Sequence, residues 1–185
     1  MEVASCTALE CLKNSFGVVT DGKDENLHFG QTPLQLDDLD GYAYLHEHSP
    51  MRIAAGELQN TRFEFLDLMD RGKVDVVQPD VGRVGGLTEA RRVSDLAAGR
   101  GRLVVPHCWK TGIGIAASAH LSAAAAHCPY IEFLPAELSE APLRRELVAD
   151  ELQMTGGLVP LPQKPGLGIE LNEAALAKYC VSHHP

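Results

Sequence analysis

The segment Val74-Asp-Val-Val-Gln-Pro-Asp-Val-Gly-Arg-Val-Gly-Gly-Leu87 decides how this chain folds. It opens with the valine-rich run 74–77, which is typical of a buried parallel strand. Pro79 ends the strand because it has no N–H to donate, and Asp80 follows directly. After two glycines, apolar residues recur at helical spacing. The segment therefore predicts a strand, a short loop that carries an acid, and then a helix.

The same unit recurs on both sides of this segment. Before it, residues 52–57 predict a short strand that ends in an acid and is followed by a helix. After it, residues 102–107 predict a strand that ends in a histidine, and a helix follows over 111–126. Residues 130–133 predict a fourth strand. Strands that alternate with helices in this way predict a parallel α/β sheet.

The chain divides into three predicted parts. Residues 1–28 form a poorly defined N-terminal segment, and residues 29–145 hold the repeated units. Residues 146–185 form a C-terminal extension that is rich in Pro and Gly and includes a capped helix over 172–179.

Composition excludes some classes of function. The 185 residues carry a net charge of −9, which argues against binding a nucleic-acid phosphate backbone. The five cysteines form no C-x-x-C pair, and their odd number favours a reducing, cytoplasmic location. The first residues lack the pattern of a secretory signal. The most apolar run, 113–126, is shorter than the roughly 20 residues of a membrane span, so no membrane association is expected.

Polar side chains close the four predicted strands: Glu57, Asp80, His107 and Glu132. Each alone is more typical of a helix cap or a hydrogen-bonded structural residue. Four in register favour a functional site, because the carboxyl ends of barrel strands share one face. Asp80, on the strand next to His107, can fix the imidazole tautomer and raise its basicity. Glu57 is an oxygen ligand suited to Mg²⁺, although one carboxylate does not make a magnesium site.

Three stretches together resemble a known family: Ile53-Ala-Ala-Gly-Glu57, Gln78-Pro-Asp-Val-Gly-Arg-Val-Gly-Gly86 and Pro106-His-Cys-Trp-Lys-Thr-Gly112. They resemble the C-terminal barrel of the mandelate racemase and muconate lactonizing enzyme branch of the enolase superfamily. The intervals of 80 − 57 = 23 and 107 − 80 = 27 residues fit that branch as well. The resemblance covers about residues 29–179. Since a complete barrel takes about 250 residues, it implies an α/β fold that is a partial TIM-type (β/α) barrel, about strands 4/5–8 with their helices, plus the C-terminal extension.

The resemblance implies a chemistry as well as a fold. It is the Mg²⁺-assisted removal of the proton α to a carboxylate, on a small carboxylate or sugar-acid substrate. Glu57 resembles a metal-binding acid, and Glu132 resembles the acid that hydrogen-bonds the developing enolate oxygen. Asp80 and His107 resemble the His–Asp dyad. Candidate substrate contacts are Arg83, where the family often has a basic residue, and Trp109 and Lys110, which follow His107 to the pocket rim.

Departures from the family pattern leave the predicted magnesium site incomplete. An earlier strand with an Asp ligand and a preceding Lys-x-Lys base do not appear, and neither does the capping domain. Where the family has Glu-Glu-Pro or Glu-Gln-Pro, this chain reads Gln31-Thr32-Pro33, so Gln31 offers a neutral oxygen instead of a charge. Without the Lys-x-Lys base we favour a sugar-acid dehydratase, with His107 as general acid or base, over a racemase or cycloisomerase.

Two alternatives of another class stay open. The chain could be a non-catalytic remnant or a module that works only with a partner chain. A minor alternative is a dinucleotide-binding domain, because Gly112-Ile-Gly-Ile-Ala-Ala117 matches G-x-G-x-x-A and Glu132 lies 132 − 112 = 20 residues on. However, five residues, 107–111, separate Pro106, which ends the strand ladder, from Gly112, whereas the fingerprint places its glycines in the tight turn itself.

A half-barrel predicts association. It would leave two strands with open edges, one of them expected at 52–57, and an inward face that includes Ile53, Val76 and Val104 without packing partners. We therefore expect the chain to self-associate, to fold its N-terminal segment across one edge, or to require a complementing chain.

Overall fold

A computed structural model describes residues 18–20 and 27–181, and every structural statement below refers to this part of the chain. One five-stranded sheet forms its centre, in the order β1-β2-β3-β4-β5. The strands are β1 Val18–Thr20, β2 Leu27–Gln31, β3 Arg52–Ala55, β4 Val76–Val77 and β5 Leu103–Val104. Strands β2 to β5 are parallel, and β1 is antiparallel to β2. The predicted parallel α/β sheet is therefore confirmed.

Helices connect the parallel strands, and further helices follow the sheet. They are α1 Leu39–His48, α2 Arg62–Asp70, α3 Leu87–Ala98, α4 Gly112–Ala124, α5 Pro142–Glu146 and α6 Glu173–Tyr179, with a 3₁₀ turn at Ala136–Leu138. Local caps set several of the starting points: Asp38 accepts a hydrogen bond from Gly41 N, and Asn172 accepts from Ala174 N. Helix α4 ends two residues before the predicted end at 126.

The core lies mainly between the sheet and its helices. Ile53, Val77 and Val104 are fully buried there against helix residues such as Phe65. A second, smaller cluster of Phe29, Ala54, Val76 and Val105 occupies the other face of the sheet. Ile53 and Val104 were thus wrongly expected on the inward face, where only Val76 of the three lies. The strands are apolar on both faces, so no alternation in the sequence indicates which residue faces which side.

The sheet edges also differ from the expectation. Strand β3 lies inside the sheet, between β2 and β4, and β1 pairs with β2 over residues 18–20. Part of the N-terminal segment therefore covers one edge, which was one of the three predicted solutions. The predicted features of residues 1–17 lie outside the described residues.

Residues 130–133 do not form the predicted fourth strand. At the β5 edge, Val104 N donates a hydrogen bond of 3.0 Å to His127 O. Pro129 then has no N–H to continue a ladder. No further strand in the described chain lies beyond this segment to pair with its far side.

The C-terminal extension packs back on itself and on α4. Asn172 N donates to Leu147 O and Ala149 N donates to Glu170 O, both at 2.9 Å. The capped helix predicted over 172–179 is confirmed as α6. The division into three parts stays a prediction. Among the described helices, none is both long enough and apolar enough to cross a membrane.

Candidate active site

Parallel pairing brings the ends of β3, β4 and β5 to one edge of the sheet. Glu57 follows β3 through Gly56, whose φ of +129° favours glycine. A Cβ atom at Gly56 would lie 2.6 Å from Phe65 Cε1 and 2.9 Å from Gln78 N. The space between the helix and the strand therefore has no room for a side chain at this position. The Ala-Gly-Glu order in the sequence thus directs the Glu57 side chain to the site.

Asp80 and His107 form the predicted hydrogen bond. His107 Nδ1 lies 3.0 Å from Asp80 Oδ2. The carboxylate is fixed on its other side by the backbone N–H of Gly82, which donates to Oδ1 at 2.8 Å. Asp80 is 5% exposed, so little water competes with these contacts. A carboxylate on Nδ1 leaves Nε2 as the ring atom that can take or give a proton.

Two further carboxylates surround the imidazole. Glu57 Oε2 lies 3.6 Å from His107 Nε2. Glu132 accepts hydrogen bonds from the backbone N–H of Cys108, at 3.3 Å, and from the indole N–H of Trp109. Although the segment that carries Glu132 is not a strand, the structure brings all four predicted strand-end residues together.

The pKa values follow from this crowding. Burial alone would lower the pKa of His107, but the Asp80 hydrogen bond and the nearby Glu132 and Glu57 carboxylates raise it above 6.5. Burial alone would raise the pKa of Asp80, but His107 and the Lys110 ammonium lower it below 3.8. Burial raises the pKa of Glu132 above 4.5, against the opposing charge of His107. The site therefore pairs an ionised Asp80 with a histidine that holds its proton more tightly than usual.

Substitution of Asp80 by Asn should lower the pKa of His107. The amide keeps the size of the side chain but removes the negative charge that favours the imidazolium form. The measurement is an NMR titration of the His107 ring protons in both proteins. Asp95→Asn, an exposed acid on α3 paired with Arg91, is the control that should leave the titration unchanged. A His107 midpoint that rises or stays constant in Asp80→Asn would contradict the coupling.

The described residues show no metal site at the position where the sequence predicts magnesium. In residues 18–20 and 27–181, no group of three or more His, Cys, Asp or Glu side chains is arranged to hold a metal ion. Gln31 points its amide nitrogen at Glu57, with Nε2 donating to Oε2 at 2.9 Å, so it supports the carboxylate and turns no carbonyl oxygen towards it. Of the two predicted ligands, Glu57 is then the one charged oxygen ligand, at the lower end of the one or two carboxylates through which Mg²⁺ is usually held.

The predicted substrate contacts surround this constellation at the surface. Lys110 Nζ lies 3.6 Å from Asp80 Oδ2, and Trp109 is 57% exposed. Arg83 is exposed in the loop after Asp80, and its backbone N–H donates to Asp80 O. Contact of these three residues with substrate stays a prediction.

A cavity of about 300 Å³ lies beside Glu132, and Glu57, Asp80 and His107 are not part of its lining. Its polar lining includes Gln31, Gln78, Trp109 and Glu132, and its apolar lining includes Phe29 and Val105. Gln78 was not among the site residues predicted from the sequence. Its side chain is buried, and within the described chain its Oε1 atom has no hydrogen-bond partner. Its place directly before Pro79-Asp80 is the signal that could have found it.

The glycines of 112–117 have a structural explanation. Gly112 is the first residue of α4, and a Cβ there would lie 2.9 Å from Val148 Cγ2 and 3.1 Å from the Glu151 carboxylate. The C-terminal extension therefore packs against the first residue of α4, near the helix N-terminus where a dinucleotide fingerprint would bind its pyrophosphate. Glu132 bonds to Cys108 N and Trp109, as described above, so the packing does not favour the dinucleotide alternative.

A parallel sheet of barrel type, with ionisable groups collected at the carboxyl ends of its strands, defines a class of α/β proteins. The chain belongs within that class to the family described as Enolase C-terminal domain-like, whose profile matches residues 20–175. It is a member of the mandelate racemase and muconate lactonizing enzyme branch of the enolase superfamily and corresponds to the C-terminal part of those proteins. The sequence resemblance is therefore confirmed.

Several relatives within this branch are named after sugar acids or their lactones. The chain is 33% identical over 154 residues to the D-galactarolactone cycloisomerase of Agrobacterium fabrum, covering 80% of this chain and 41% of the relative. It is 37% identical over 152 residues to the L-rhamnonate dehydratase of Saccharopolyspora erythraea, covering 80% and 38%. The crystal structure of the 3,6-anhydro-D-galactonate cycloisomerase from Zobellia galactanivorans superposes with a TM-score of 0.76 at 32% identity, covering 83% and 43%. The chain thus spans about two fifths of the length of these relatives.

Proposed function

We propose that this chain carries the His–Asp half of an active site that moves the proton α to the carboxylate of a sugar acid, with dehydration as the favoured outcome. The observation that carries the proposal is the hydrogen bond of 3.0 Å between His107 Nδ1 and Asp80 Oδ2 at the carboxyl end of the sheet. It supports a general acid or base whose second ring nitrogen, Nε2, faces the Glu57 carboxylate at 3.6 Å.

The surrounding residues have separate tasks in this proposal. Asp80 keeps the proton on Nδ1 and stabilises the charged ring when Nε2 takes a proton. Glu132, whose pKa burial raises, is suited to donate a hydrogen bond to an oxygen that gains negative charge. Lys110 and Arg83 offer positive charge for the substrate carboxylate at the rim. No step is assigned to a metal, because the described residues do not complete a metal site.

We favour a sugar acid because the cavity, although its lining is mostly apolar, also includes the amides of Gln31 and Gln78 and the Glu132 carboxylate, which could bind hydroxyl groups. The named relatives are a sugar-acid dehydratase and two cycloisomerases, which supports the substrate class. We favour dehydration because His107 is the one strong base candidate in the described site, whereas racemisation with two bases needs a second on the opposite face of the substrate.

The test is proton exchange together with product analysis. The purified chain is incubated with a panel of aldonic and aldaric acids in D₂O, with and without Mg²⁺. NMR then follows deuterium at the α carbon and the appearance of a 2-keto-3-deoxy acid. Dehydratase chemistry predicts the 2-keto-3-deoxy acid, with solvent deuterium at carbon 3, for at least one acid. Deuterium at the α carbon of the remaining substrate is expected in addition where removal of the proton is reversible. Exchange without dehydration would favour a racemase, and neither signal with any acid would contradict a catalytic role for the isolated chain.

A second candidate function is a module that acts with another chain. It is favoured by the incomplete metal site and by the four parallel strands of the described sheet, half the number in a closed barrel. We propose that the missing carboxylates arrive with a complementing chain or that two copies associate through the open β5 edge. Sedimentation at micromolar concentration distinguishes these arrangements from a monomer. A reducing, cytoplasmic location remains part of the proposal, supported by the free Cys108 and Cys128.

Magnesium should bind the purified chain in the millimolar range or not at all. Mg²⁺ gives up its waters reluctantly and is held mainly through carboxylates, of which this site offers Glu57. Isothermal titration calorimetry with Mg²⁺ measures the affinity, and Glu57→Gln is the control that should remove any residual binding. Micromolar binding to the chain alone would count against the module hypothesis, and its loss in Glu57→Gln would place the ion at this site.

A further inference from the structure

We propose that Arg144, in the C-terminal extension, is a positioning residue that holds the segment carrying Glu132 in the candidate active site. The inference rests on the proposed function, since the placement of Glu132 matters chemically only if the site operates. It gives the C-terminal extension a role in the site itself.

The first observation is the burial of Arg144. Its side chain is 1% exposed, although it belongs to the five-residue helix α5, where its neighbours Leu143 and Arg145 are exposed. A fully buried arginine is rare unless it is paired. Its partner is Glu151, whose side chain is 7% exposed and receives a hydrogen bond from Nη1. Because an apolar pair could often replace a buried ion pair without loss of stability, burial alone does not explain this one.

The second nitrogen of the guanidinium provides an explanation. Arg144 Nη2 donates a hydrogen bond of 2.6 Å to the carbonyl oxygen of Leu134, two residues after Glu132. This segment lacks the support of a strand ladder in the described chain, so the carbonyl contact is one of its fixed points. The planar fork of an arginine can hold a carboxylate and a carbonyl at once in a defined geometry, which a lysine cannot do.

The other end of the pair reaches the segment of His107. The Glu151 carboxylate packs against the first residue of α4, where a Cβ on Gly112 would lie 3.1 Å from it. Helix α4 begins five residues after His107. The buried pair therefore connects the two segments that bring Glu132 and His107 together.

A single aromatic residue can report the contact. Glu132 accepts the indole N–H of Trp109, and Trp109 is the one tryptophan in the sequence. Its indole N–H gives one separate signal in a ¹H–¹⁵N spectrum. If Arg144 positions Glu132, removal of the guanidinium should move Glu132 away from the indole and from His107.

The experiment compares variants of the full chain by NMR, without substrate. In the parent protein, the indole signal should shift with pH as Glu132 titrates. In Arg144→Met it should move towards its position in Glu132→Gln and lose that pH dependence, and the His107 midpoint should fall because a nearby carboxylate has withdrawn. Arg145→Met, on the same helix but exposed, is the matched control and should leave both signals unchanged.

Folding failure is handled by a second variant. Arg144→Met leaves Glu151 buried without its partner, whereas Arg144→Met with Glu151→Met replaces the whole pair by apolar side chains of similar length. The folded double variant should show the same indole shift and the same fall in the His107 midpoint. Parent-like signals in a folded variant without Arg144 would overturn the proposal. If both variants unfold, the test is made with Arg144→Lys. An indole signal like that of the parent protein in this variant would also overturn the positioning role of Arg144. Since no turnover is measured, failure of the proposed function would leave this result standing.

Discussion

Replacing His107 by Asn is expected to reduce α-proton exchange about 10²–10⁴-fold, the usual contribution of a positioned general acid or base. The amide of Asn can still approach Asp80, but it cannot take a proton near neutral pH. The reaction would lose its proton acceptor while the acidic residues around it keep their places. The measurement is the deuterium exchange rate of the most responsive sugar acid, in the parent protein and in the variant.

His127→Asn is the matched control. His127 lies at the β5 edge and has a φ of 58°, a conformation that Asn tolerates well, and its carbonyl bond to Val104 N involves the backbone alone. Exchange should stay at the parent rate in this variant. Equal losses in both proteins would point to a general disturbance, and an unchanged rate in His107→Asn would remove His107 from the mechanism.

The direction in which the exchange rate changes with pH shows whether His107 acts as a base or as an acid. A base must be unprotonated to accept a proton, so exchange should rise with pH through the pKa of His107, which lies above 6.5. If His107 acts as an acid, the rate should instead fall through the same pKa. Removal of the Asp80 charge lowers that pKa, so either profile should move to lower pH in Asp80→Asn.

Substitution of Gly56 by Ala is expected to cost about 3–5 kcal/mol of folding free energy, a large part of the roughly 5–15 kcal/mol that stabilises a domain. Two penalties add at this position. A φ of +129° strains any residue with a Cβ, and that Cβ would lie 2.6 Å from Phe65 Cε1 and 2.9 Å from Gln78 N. Backbone cannot move aside as a flexible side chain can, so the turn into Glu57 must distort. Urea denaturation followed by circular dichroism measures the loss.

Gly86→Ala is the control that separates the backbone strain of a positive φ from the steric clash of the added Cβ atom. Gly86 also has a positive φ, of +88°, but a Cβ there would meet nothing within 4 Å. Its cost should be the conformational term alone, about 1–3 kcal/mol, because φ +88° with ψ −177° is a conformation essentially restricted to glycine. If the two variants lose the same stability, the close approach of Phe65 and Gln78 to Gly56 does not carry the effect described above.

The sequence by itself determined the repeated unit and much of the site. Helices form over 62–70 and 87–98, after the predicted strands, because turn residues and apolar spacing act within a few residues of one another. The same local logic placed Glu57, Asp80 and His107 after successive strands. Parallel pairing then brings such residues to one edge, so their proximity followed once the sheet was recognised.

Tertiary structure decided what local patterns leave open. Ile53 and Val104 face the helices, while Val76 faces the other side of the sheet. In an apolar strand, the face to which each residue points is set by the register with the neighbouring strands. Residues 130–133 are as apolar as a strand, yet they lack the neighbours that a ladder requires. Arg144 is separated by ten residues from the carbonyl it binds and by more from the residues of the site, and no spacing rule connects them. The energy of such a polar contact depends on how deeply its groups are buried. Burial is set by the packing of the whole chain, so the local sequence does not predict the contact.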